Sequence, residues 1–322
     1  MHNKNGPTFQ RVEEITFDDF SFGAHVAKRT TPLLVKGAVK HWPAWTHWSF
    51  ENIAAQCEAR KLTARFQTAL TEQGITQPAR FLPVASYLHS LHRAAQIGLD
   101  PNKGLVNASR RVQLDFNTRF TLDWTRMNNQ PDRLYLQQWD LLKNLPHLRQ
   151  DFPMNRLWPG LRKTWEYAFI GPADTLSGLH FDFPNNWFCQ VRGSKEFILF
   201  TQDQTAHLSV SKKYDWGATL SDVNIARLQE NNDINQRFSK ASGLYAHVEA
   251  GDALYIPKRT WHAVVALTPS ISIGIFGLTP IEILTGGVSA TVKDSLHRAH
   301  LYRWGRCTCH AGVMPFELTP VP

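Results

Sequence analysis

Between residues 165 and 280, short apolar runs alternate with turn residues, which is the pattern of consecutive β-strands. The segments that separate the runs contain Gly, Asp, Pro or Ser. We predict three consecutive hairpins that fold into a jelly-roll barrel, a double-stranded β-helix that is mainly β with α additions. The six predicted strands are Asn186–Val191, Glu196–Phe200, Tyr245–Val248, Ala253–Ile256, Ala263–Leu267 and Ile271–Phe276.

Helical periodicity lies mostly outside this β-rich stretch. Ser49 precedes apolar residues at helical spacing, so we predict a helix from Ser49 to about Arg65 and a second from Pro83 to Ile97. Pro32–Lys36 is predicted to form a short strand ahead of them.

These patterns divide the chain into three parts. Residues 1–130 form an N-terminal strand and helix region that packs on the barrel, and residues 131–280 form the barrel itself. A polar insertion at 202–243 is predicted to be partly helical around Ser221–Glu230. Residues 281–322 form a C-terminal helical segment and tail, so that helices flank the barrel on both sides.

The composition is that of an ordinary globular protein, with 43% hydrophobic and 19% charged residues, which excludes a disordered or collagenous chain. The first ten residues are polar, so we expect no signal peptide. The uncharged run Ala263–Ile281 is interrupted by Thr268-Pro269-Ser270, so we read it as two strands and expect no membrane association. Four Cys without framework spacing favour a reducing compartment, and we expect a cytoplasmic protein.

The chain carries a formal net charge of +8 and a pI near 9.4. Such a charge is compatible with a polyanionic partner such as RNA, and equally with a basic protein that has none. The densest basic stretch is Lys293–Arg306, where Asp294 alone opposes the positive charge.

His180 and Asp182 are the first candidates for chemistry. Residues two apart in a strand project from the same face, so the imidazole and the carboxylate point together. With a second His from elsewhere, they would form the facial triad of non-haem Fe(II) oxygenases. His247 and Glu249 show the same spacing, and either pair can instead be an ion pair on a surface strand.

The context of His180 and Asp182 carries a family resemblance. Downstream stand Asn186, then Gly193-Ser194-Lys195, then Gly251–Pro257 followed by Trp261-His262. Together with Asp132–Gln138 and Pro32–Pro43, this pattern resembles the JmjC-type, or cupin-like, 2-oxoglutarate oxygenases over roughly residues 30 to 305. Within that family it most resembles the asparaginyl hydroxylases.

The resemblance implies that His180, Asp182 and His262 ligate Fe(II). Imidazole nitrogen and carboxylate oxygen suit that ion, and no thiolate in the set favours zinc.

The resemblance also implies a 2-oxoglutarate site. Lys195 pairs with the distal carboxylate, Ser177 and Tyr135 supply hydroxyls to the same carboxylate, and Asn186 lies near the keto-acid end. The sequence departs from the family at Gly274, where an Asn that helps hold the cosubstrate is frequent. We expect Gly274→Asn to be tolerated or to tighten cosubstrate binding.

The implied activity is hydroxylation of a C–H bond with formation of succinate and CO₂. A protein or peptide side chain is the preferred substrate, and Gln137 and the 202–243 insertion are then expected to line its path. An RNA base, a small molecule, methyl-lysine demethylation and a non-catalytic binding module stay open as alternatives.

The C-terminal segment bears on assembly. Ile281–Trp304 is predicted to be helical with apolar residues spaced by four, and it either packs on its own barrel or forms a homodimer, as the resemblance favours. Cys307, Cys309 and His310 are a fragment of a zinc-site pattern or part of an unstructured tail. The apolar positions of the helix are Leu284, Val288, Val292 and Leu296.

Overall fold

Two β-sheets that face each other form the centre of the protein. The computed structural model describes residues 6–68, 70–71, 80–98, 134–160, 164–173, 175–215, 217–225, 228, 232–278 and 288–307. Its strands are β1 (Thr8–Arg11), β2 (Glu13–Thr16), β3 (Leu33–Lys36), β4 (Thr63–Thr68), β5 (Leu70–Thr71), β6 (Arg80–Pro83), β7 (Leu134–Trp139), β8 (Thr164–Gly171), β9 (Leu176–Asp182), β10 (Asn185–Arg192), β11 (Lys195–Phe200), β12 (Ala218–Leu220), β13 (Ser242–Val248), β14 (Ala253–Ile256), β15 (Trp261–Ala266) and β16 (Ser270–Gly277).

The helices are short apart from three that exceed two turns. They are α1 (Phe22–His25), α2 (Pro43–His47), α3 (Phe50–Ala59), α4 (Val84–Gly98), α5 (Leu141–Asn144), α6 (Asp233–Phe238) and α7 (Val288–Arg298), with 3₁₀ turns at Ala38–His41, Pro146–Asp151 and Gln202–His207. Within the part of the chain that the structure describes, no helix has the length and apolar character needed to cross a membrane.

The order of the strands is that of a jelly roll, as predicted. One sheet runs β1-β13-β11-β15-β9-β12, with β5 beside β9, and the other runs β2-β3-β14-β10-β16-β8-β7-β4-β6. Each of the six predicted strands is present, but the three predicted hairpins are wrong. The turns after β10, β13 and β15 each carry the chain from one sheet to the other, so the sequential strands face each other and do not pair.

Gly193 shows how one of these crossings is made. Its φ of +73° lies in the left-handed region, and a side chain there would collide with the backbone oxygen of Pro269 and with Thr268. The turn therefore packs closely against the next crossing, between β15 and β16, at the same end of the barrel.

Three apolar layers hold the sheets in place. The interior between the sheets contains residues of both, such as Phe188 and Phe197, whose rings lie 5.0 Å apart. The outer face of the nine-stranded sheet packs on α3 and α4. The outer face of the other sheet is covered by the segment between β11 and β13, through Leu208, Val223 and Phe238. The predicted insertion thus covers the outer face of the seven-stranded sheet.

Two helix predictions were wrong in their bounds. The helix after Ser49 begins as predicted, with the Ser49 hydroxyl accepting a hydrogen bond from the Asn52 N–H at 3.0 Å, but it ends at Ala59, and 63–68 form β4. Of the stretch predicted to be partly helical, Ser221–Ile225 are not α-helical, and Ser221 forms an isolated β-bridge with Val210. Residues 226, 227, 229 and 230 lie outside the described residues, and α6 begins at Asp233. The helix predicted from Pro83 is confirmed as α4.

The C-terminal helix α7 exposes its apolar stripe. Val288, Val292 and Leu296 are 56%, 51% and 39% exposed, so among the described residues nothing covers this face. Leu284 lies outside the described residues. The predicted homodimer would bury this stripe against its copy.

We expect the wild-type protein to sediment at about twice 36.7 kDa and Leu296→Arg to sediment as a monomer. An arginine at this exposed position costs little folding stability, because the chain does not bury the site. Val210→Arg, at another exposed apolar residue that is not part of α7, is the matched control and should leave the dimer intact. A wild-type monomer at micromolar concentration would remove the dimer from this account.

Candidate metal and cosubstrate site

All eight residues singled out from the sequence line one cavity of about 450 Å³ between the two sheets. Five lie on strands β9, β11 and β15 of one sheet, and three lie on strands β7 and β10 of the other. The eight are Tyr135, Gln137, Ser177, His180, Asp182, Asn186, Lys195 and His262.

His180, Asp182 and His262 converge at one end of this cavity. β9 and β15 are antiparallel neighbours, and their register places His262 directly opposite His180. One ligand atom from each of the three side chains lies within 4.8 Å of the others, and His262 Nε2 is 3.6 Å from Asp182 Oδ2. Among the described residues, no other group of three His, Cys, Asp or Glu side chains is arranged in this way.

Backbone hydrogen bonds fix which nitrogen of each imidazole faces the cluster. His180 Nδ1 lies 2.7 Å from the carbonyl oxygen of Gly178, and His262 Nδ1 lies 2.9 Å from that of Thr260. A carbonyl oxygen only accepts, so each Nδ1 carries a proton, and in the neutral ring the lone pair is then on Nε2. The same arrangement orients histidines that ligate metals in proteins.

The electrostatics of the cluster favour a cation. Burial, with the neighbouring His180, lowers the pKa of His262 to about 3, so this imidazole is neutral at physiological pH. Burial also raises the pKa of Asp182, and the negative charge of Asp215 adds to that effect. The contact between His262 Nε2 and Asp182 Oδ2 is therefore not an ion pair. A divalent cation would bind the imidazole nitrogens and favour the charged carboxylate of Asp182, so these residues fit Fe(II).

A β-bulge places Ser177 in the cavity. Strict alternation along β9 would put Ser177 and His180 on opposite faces, because they are three residues apart. The register against β15 shifts between His262 and Val264, so that Val264 lies opposite Ser177. The shift brings both side chains to the inner face.

Lys195 is the cation of the cavity. It is 2% exposed, and its Nζ lies 5.1 Å from the ring centroid of Phe188 and 5.7 Å from that of Tyr135. Burial lowers the pKa of Lys195 to about 7, and no carboxylate among the described residues forms a salt bridge with it. A buried ammonium among aromatic rings is suited to an anionic ligand.

Polar groups around Lys195 point into the same space. Tyr135 and Ser177 are hydrogen-bonded to each other, and burial raises the pKa of the Tyr135 phenol, which therefore stays protonated. Asn186 Oδ1 and Gln137 Oε1 are buried without a hydrogen-bond partner. Buried amide oxygens normally have partners, so both groups are suited to a ligand or to water.

His247 and Glu249 do not line the cavity. His247 lies on β13 and Glu249 directly follows its last residue, Val248, which is buried in the interior between the sheets. On the outer face, His247 Nδ1 lies 3.6 Å from Glu196 Oε1, and Glu249 binds Lys36. His247 and Glu249 therefore match the alternative given above, ion-pairing residues on the surface of a strand.

Several lining residues escaped the sequence analysis. Gln138 has a φ of +51° beside a register shift in β7, so Gln137 and Gln138 both reach the cavity. Phe169, Phe188 and Phe276 line it as well, and in the sequence they are indistinguishable from core aromatics.

Gly274 leaves less room than the sequence suggested. A Cβ added there would lie 3.0 Å from ring carbons of both Phe169 and Phe276, which is tighter than ordinary packing. We now expect Gly274→Asn to displace these rings and to weaken cosubstrate binding, with a modest fall in Tm. Calorimetric titration with 2-oxoglutarate checks this, with Gly274→Ala as the smaller step. Unchanged or tighter binding in both variants would restore the earlier expectation.

Cys307 is buried and forms a bridge with Tyr214 through its backbone. Cys309 and His310 lie outside the described residues.

Comparison with known proteins bears on this site. The sequence profile of the cupin-like domain matches residues 19–276. The Jumonji C domain-containing protein 5 of Drosophila melanogaster is 27% identical over 70% of this chain and 61% of its own length. The lysine-specific demethylase 8 of Xenopus tropicalis is 24% identical over 79% of this chain and 50% of its own length.

A third relative, the human bifunctional peptidase and (3S)-lysyl hydroxylase JMJD7, is 22% identical over 72% of both chains. The chain spans 61% and 50% of the length of the first two relatives.

Proposed function

The chain belongs to the cupin-like domain family, and we propose that it is an Fe(II)- and 2-oxoglutarate-dependent oxygenase that hydroxylates a C–H bond. One observation carries the proposal: a cluster of two histidines and one carboxylate, with His262 buried and the other two half-buried, shares its cavity with a buried lysine. Three protein ligands on one side leave positions open for a chelating cosubstrate and O₂. Relatives named as a hydroxylase and a demethylase support the same class.

His180, Asp182 and His262 would hold the iron through Nε2 of each imidazole and the carboxylate. When bound, iron and 2-oxoglutarate supply the oxidising chemistry that yields succinate, CO₂ and a hydroxylated product. The carbonyls of Gly178 and Thr260 keep both imidazoles in the tautomer that a metal needs.

The rest of the cavity is suited to orienting the cosubstrate. The Lys195 ammonium pairs with its distal carboxylate, and the hydroxyls of Tyr135 and Ser177 donate to the same group. Asn186, from the opposite sheet, donates its amide to the other end. Phe188 and neighbouring aromatic residues exclude water, which strengthens each of these interactions.

A protein or peptide side chain is the substrate that we propose. Gln137 and Gln138 line the cavity beside the metal cluster, and their amides can hydrogen-bond a peptide. Two relatives have names that refer to lysine residues. The finer likeness to asparaginyl hydroxylases stays a prediction.

The test of this proposal is mass spectrometry of peptide arrays incubated with the protein, Fe(II) and 2-oxoglutarate. We expect a gain of one oxygen atom on an unmodified peptide that depends on 2-oxoglutarate. Loss of a methyl group from methyl-lysine peptides, or an oxygen gained only by tRNA nucleosides, would contradict peptide hydroxylation.

The pKa of Lys195 leads to a prediction about pH. With a pKa of about 7, the Lys195 side chain is mostly a charged ammonium below pH 7 and mostly a neutral amine above it. The 2-oxoglutarate dianion binds the protein in which Lys195 is protonated, so its affinity should fall about tenfold per pH unit above pH 7. The fall should end at the pH that equals the pKa of Lys195 in the complex, which the bound dianion raises. Calorimetry with Mn²⁺-loaded protein between about pH 6 and pH 8.5 measures this.

Lys195→Met is the control, since its weaker affinity should not follow this pH course. A pH-independent affinity in the wild type would show that Lys195 stays charged or does not contact the cosubstrate.

A further inference from the structure

The C-terminal helix and the loop that follows it form a positively charged surface, which we call the basic platform. It consists of residues 212–214 and 293–306. Its exposed cations are Lys212, Lys293, Arg298, Arg303 and Arg306. Asp294 is the single acidic residue between positions 288 and 307, and it already accepts a hydrogen bond from Arg298 Nε at 2.8 Å. Residues 293–306 therefore carry four cationic side chains and one carboxylate.

Aromatic side chains are interleaved with these cations. Trp304 is 41% exposed and stacks on the His300 ring, with centroids 3.4 Å apart and planes 25° apart. Tyr302 is half-buried, and the Arg303 guanidinium lies 5.5 Å from its ring centroid. Aromatic rings beside guanidinium groups can stack on a flat group of a ligand. A ligand bound through charge alone would not need these rings.

The platform is a fixed part of the fold. His297 is 2% exposed, its Nδ1 donates to the Tyr302 carbonyl at 2.6 Å, and its ring lies 4.3 Å from that of Tyr214. The backbone of Tyr214 donates to the Arg306 carbonyl at 2.8 Å. The loop is thereby held against the barrel.

Two residues of the platform adopt a conformation that is rare without glycine. The φ angles of His300 and Arg303 are +66° and +49°. Such angles cost energy and persist only where the surroundings enforce them. They turn the loop so that His300, Arg303 and Trp304 are all exposed.

We propose that the basic platform binds single-stranded RNA. Lys and Arg side chains at this surface neutralise phosphates, while Trp304 and its neighbouring rings stack on bases, which is the combination that single-strand binding requires. An acidic peptide would satisfy the charges but leave the rings without a function. Leu296 lies within residues 293–306 but belongs to the apolar stripe of the proposed dimer contact, and it is not among the cations and rings that would bind RNA. This inference does not rest on the oxygenase activity.

The test uses a fluorescein-labelled oligouridine of about 12 nucleotides, with metal-free protein and no cosubstrate. Fluorescence anisotropy is measured from about 50 to 300 mM KCl. We expect saturable binding whose log–log salt slope is about −2 to −4, since each neutralised phosphate of a single strand contributes about −0.7. Absence of saturable binding at the lowest salt, or equal binding of a poly-glutamate peptide in competition, would overturn the proposal.

Variants separate the platform from the overall charge. Lys293→Glu combined with Arg306→Glu should weaken binding at least about tenfold and make the slope shallower by about 1 to 2. Trp304→Ala should weaken binding about 5- to 100-fold with little change in slope. Lys28→Glu combined with Lys143→Glu makes the same charge change at exposed lysines outside the platform and should have far less effect.

Thermal denaturation of each variant serves to check that it is folded. Equal losses from the platform pair and from the control pair would show that net charge alone binds RNA and would overturn the assignment.

Discussion

Asp182→Ala is expected to abolish divalent metal binding and turnover. Asp182 is the one carboxylate of the three-residue cluster, and it lies 3.6 Å from His262 Nε2. Loss of a residue that merely orients a ligand costs about 10- to 100-fold in metal affinity, so loss of the ligand itself should cost more than about 100-fold. Calorimetric titration with Mn²⁺ measures the affinity.

The stability of the metal-free variant distinguishes a ligand from a structural residue. Without metal, burial disfavours the charged carboxylate of Asp182, so the metal-free variant should be at least as stable as the metal-free wild type. Added Mn²⁺ should raise the Tm of the wild type and leave that of Asp182→Ala unchanged. His247→Ala, on the outer face of β13, is the control and should behave as the wild type. Normal Mn²⁺ binding by Asp182→Ala would remove it from the site.

The second large effect is expected at Lys195. Lys195→Met keeps most of the hydrocarbon volume and removes the charge from a position that is 2% exposed. A buried carboxylate of 2-oxoglutarate would then lack its partner, which costs about 3–5 kcal/mol, or roughly two to three and a half orders of magnitude in affinity. Titration of the Mn²⁺-loaded protein with 2-oxoglutarate measures the loss.

Metal affinity should not change in Lys195→Met, because the side chain is not part of the metal cluster. Lys258→Met is the control, since it removes an exposed lysine four residues before His262 that does not line the cavity. Wild-type cosubstrate affinity in Lys195→Met would show that another group binds the carboxylate.

Strand periodicity could predict two of the three candidate metal ligands but not the whole cavity. His180 and Asp182 share a face because β9 is regular between them. Ser177 reaches the same face only through the bulge before His180, and Gln138 does so beside a register shift in β7. Bulges depend on pairing with a neighbouring strand, so their positions do not follow from one strand's sequence.

Strand positions were easier to predict than strand partners. The turn at Gly193 has the composition of a hairpin, yet it connects β10 to β11 across the barrel. Local sequence determines that the chain turns, whereas burial of both inner faces determines which sheet it enters. The helix after Ser49 shows the same limit, because residues 63–68 pair with β6 and β7 and form a strand despite their helical pattern.

The central claim is that the cluster of His180, Asp182 and His262 supports oxidation of 2-oxoglutarate. Succinate formed from 2-oxoglutarate under air, with and without Fe(II), measures this most directly, because no substrate needs to be known. We predict succinate from the wild type and from His247→Ala that requires Fe(II), and none above background from Asp182→Ala. Succinate formation that is absent from the Fe(II)-loaded wild type, or unchanged in Asp182→Ala, would contradict the account.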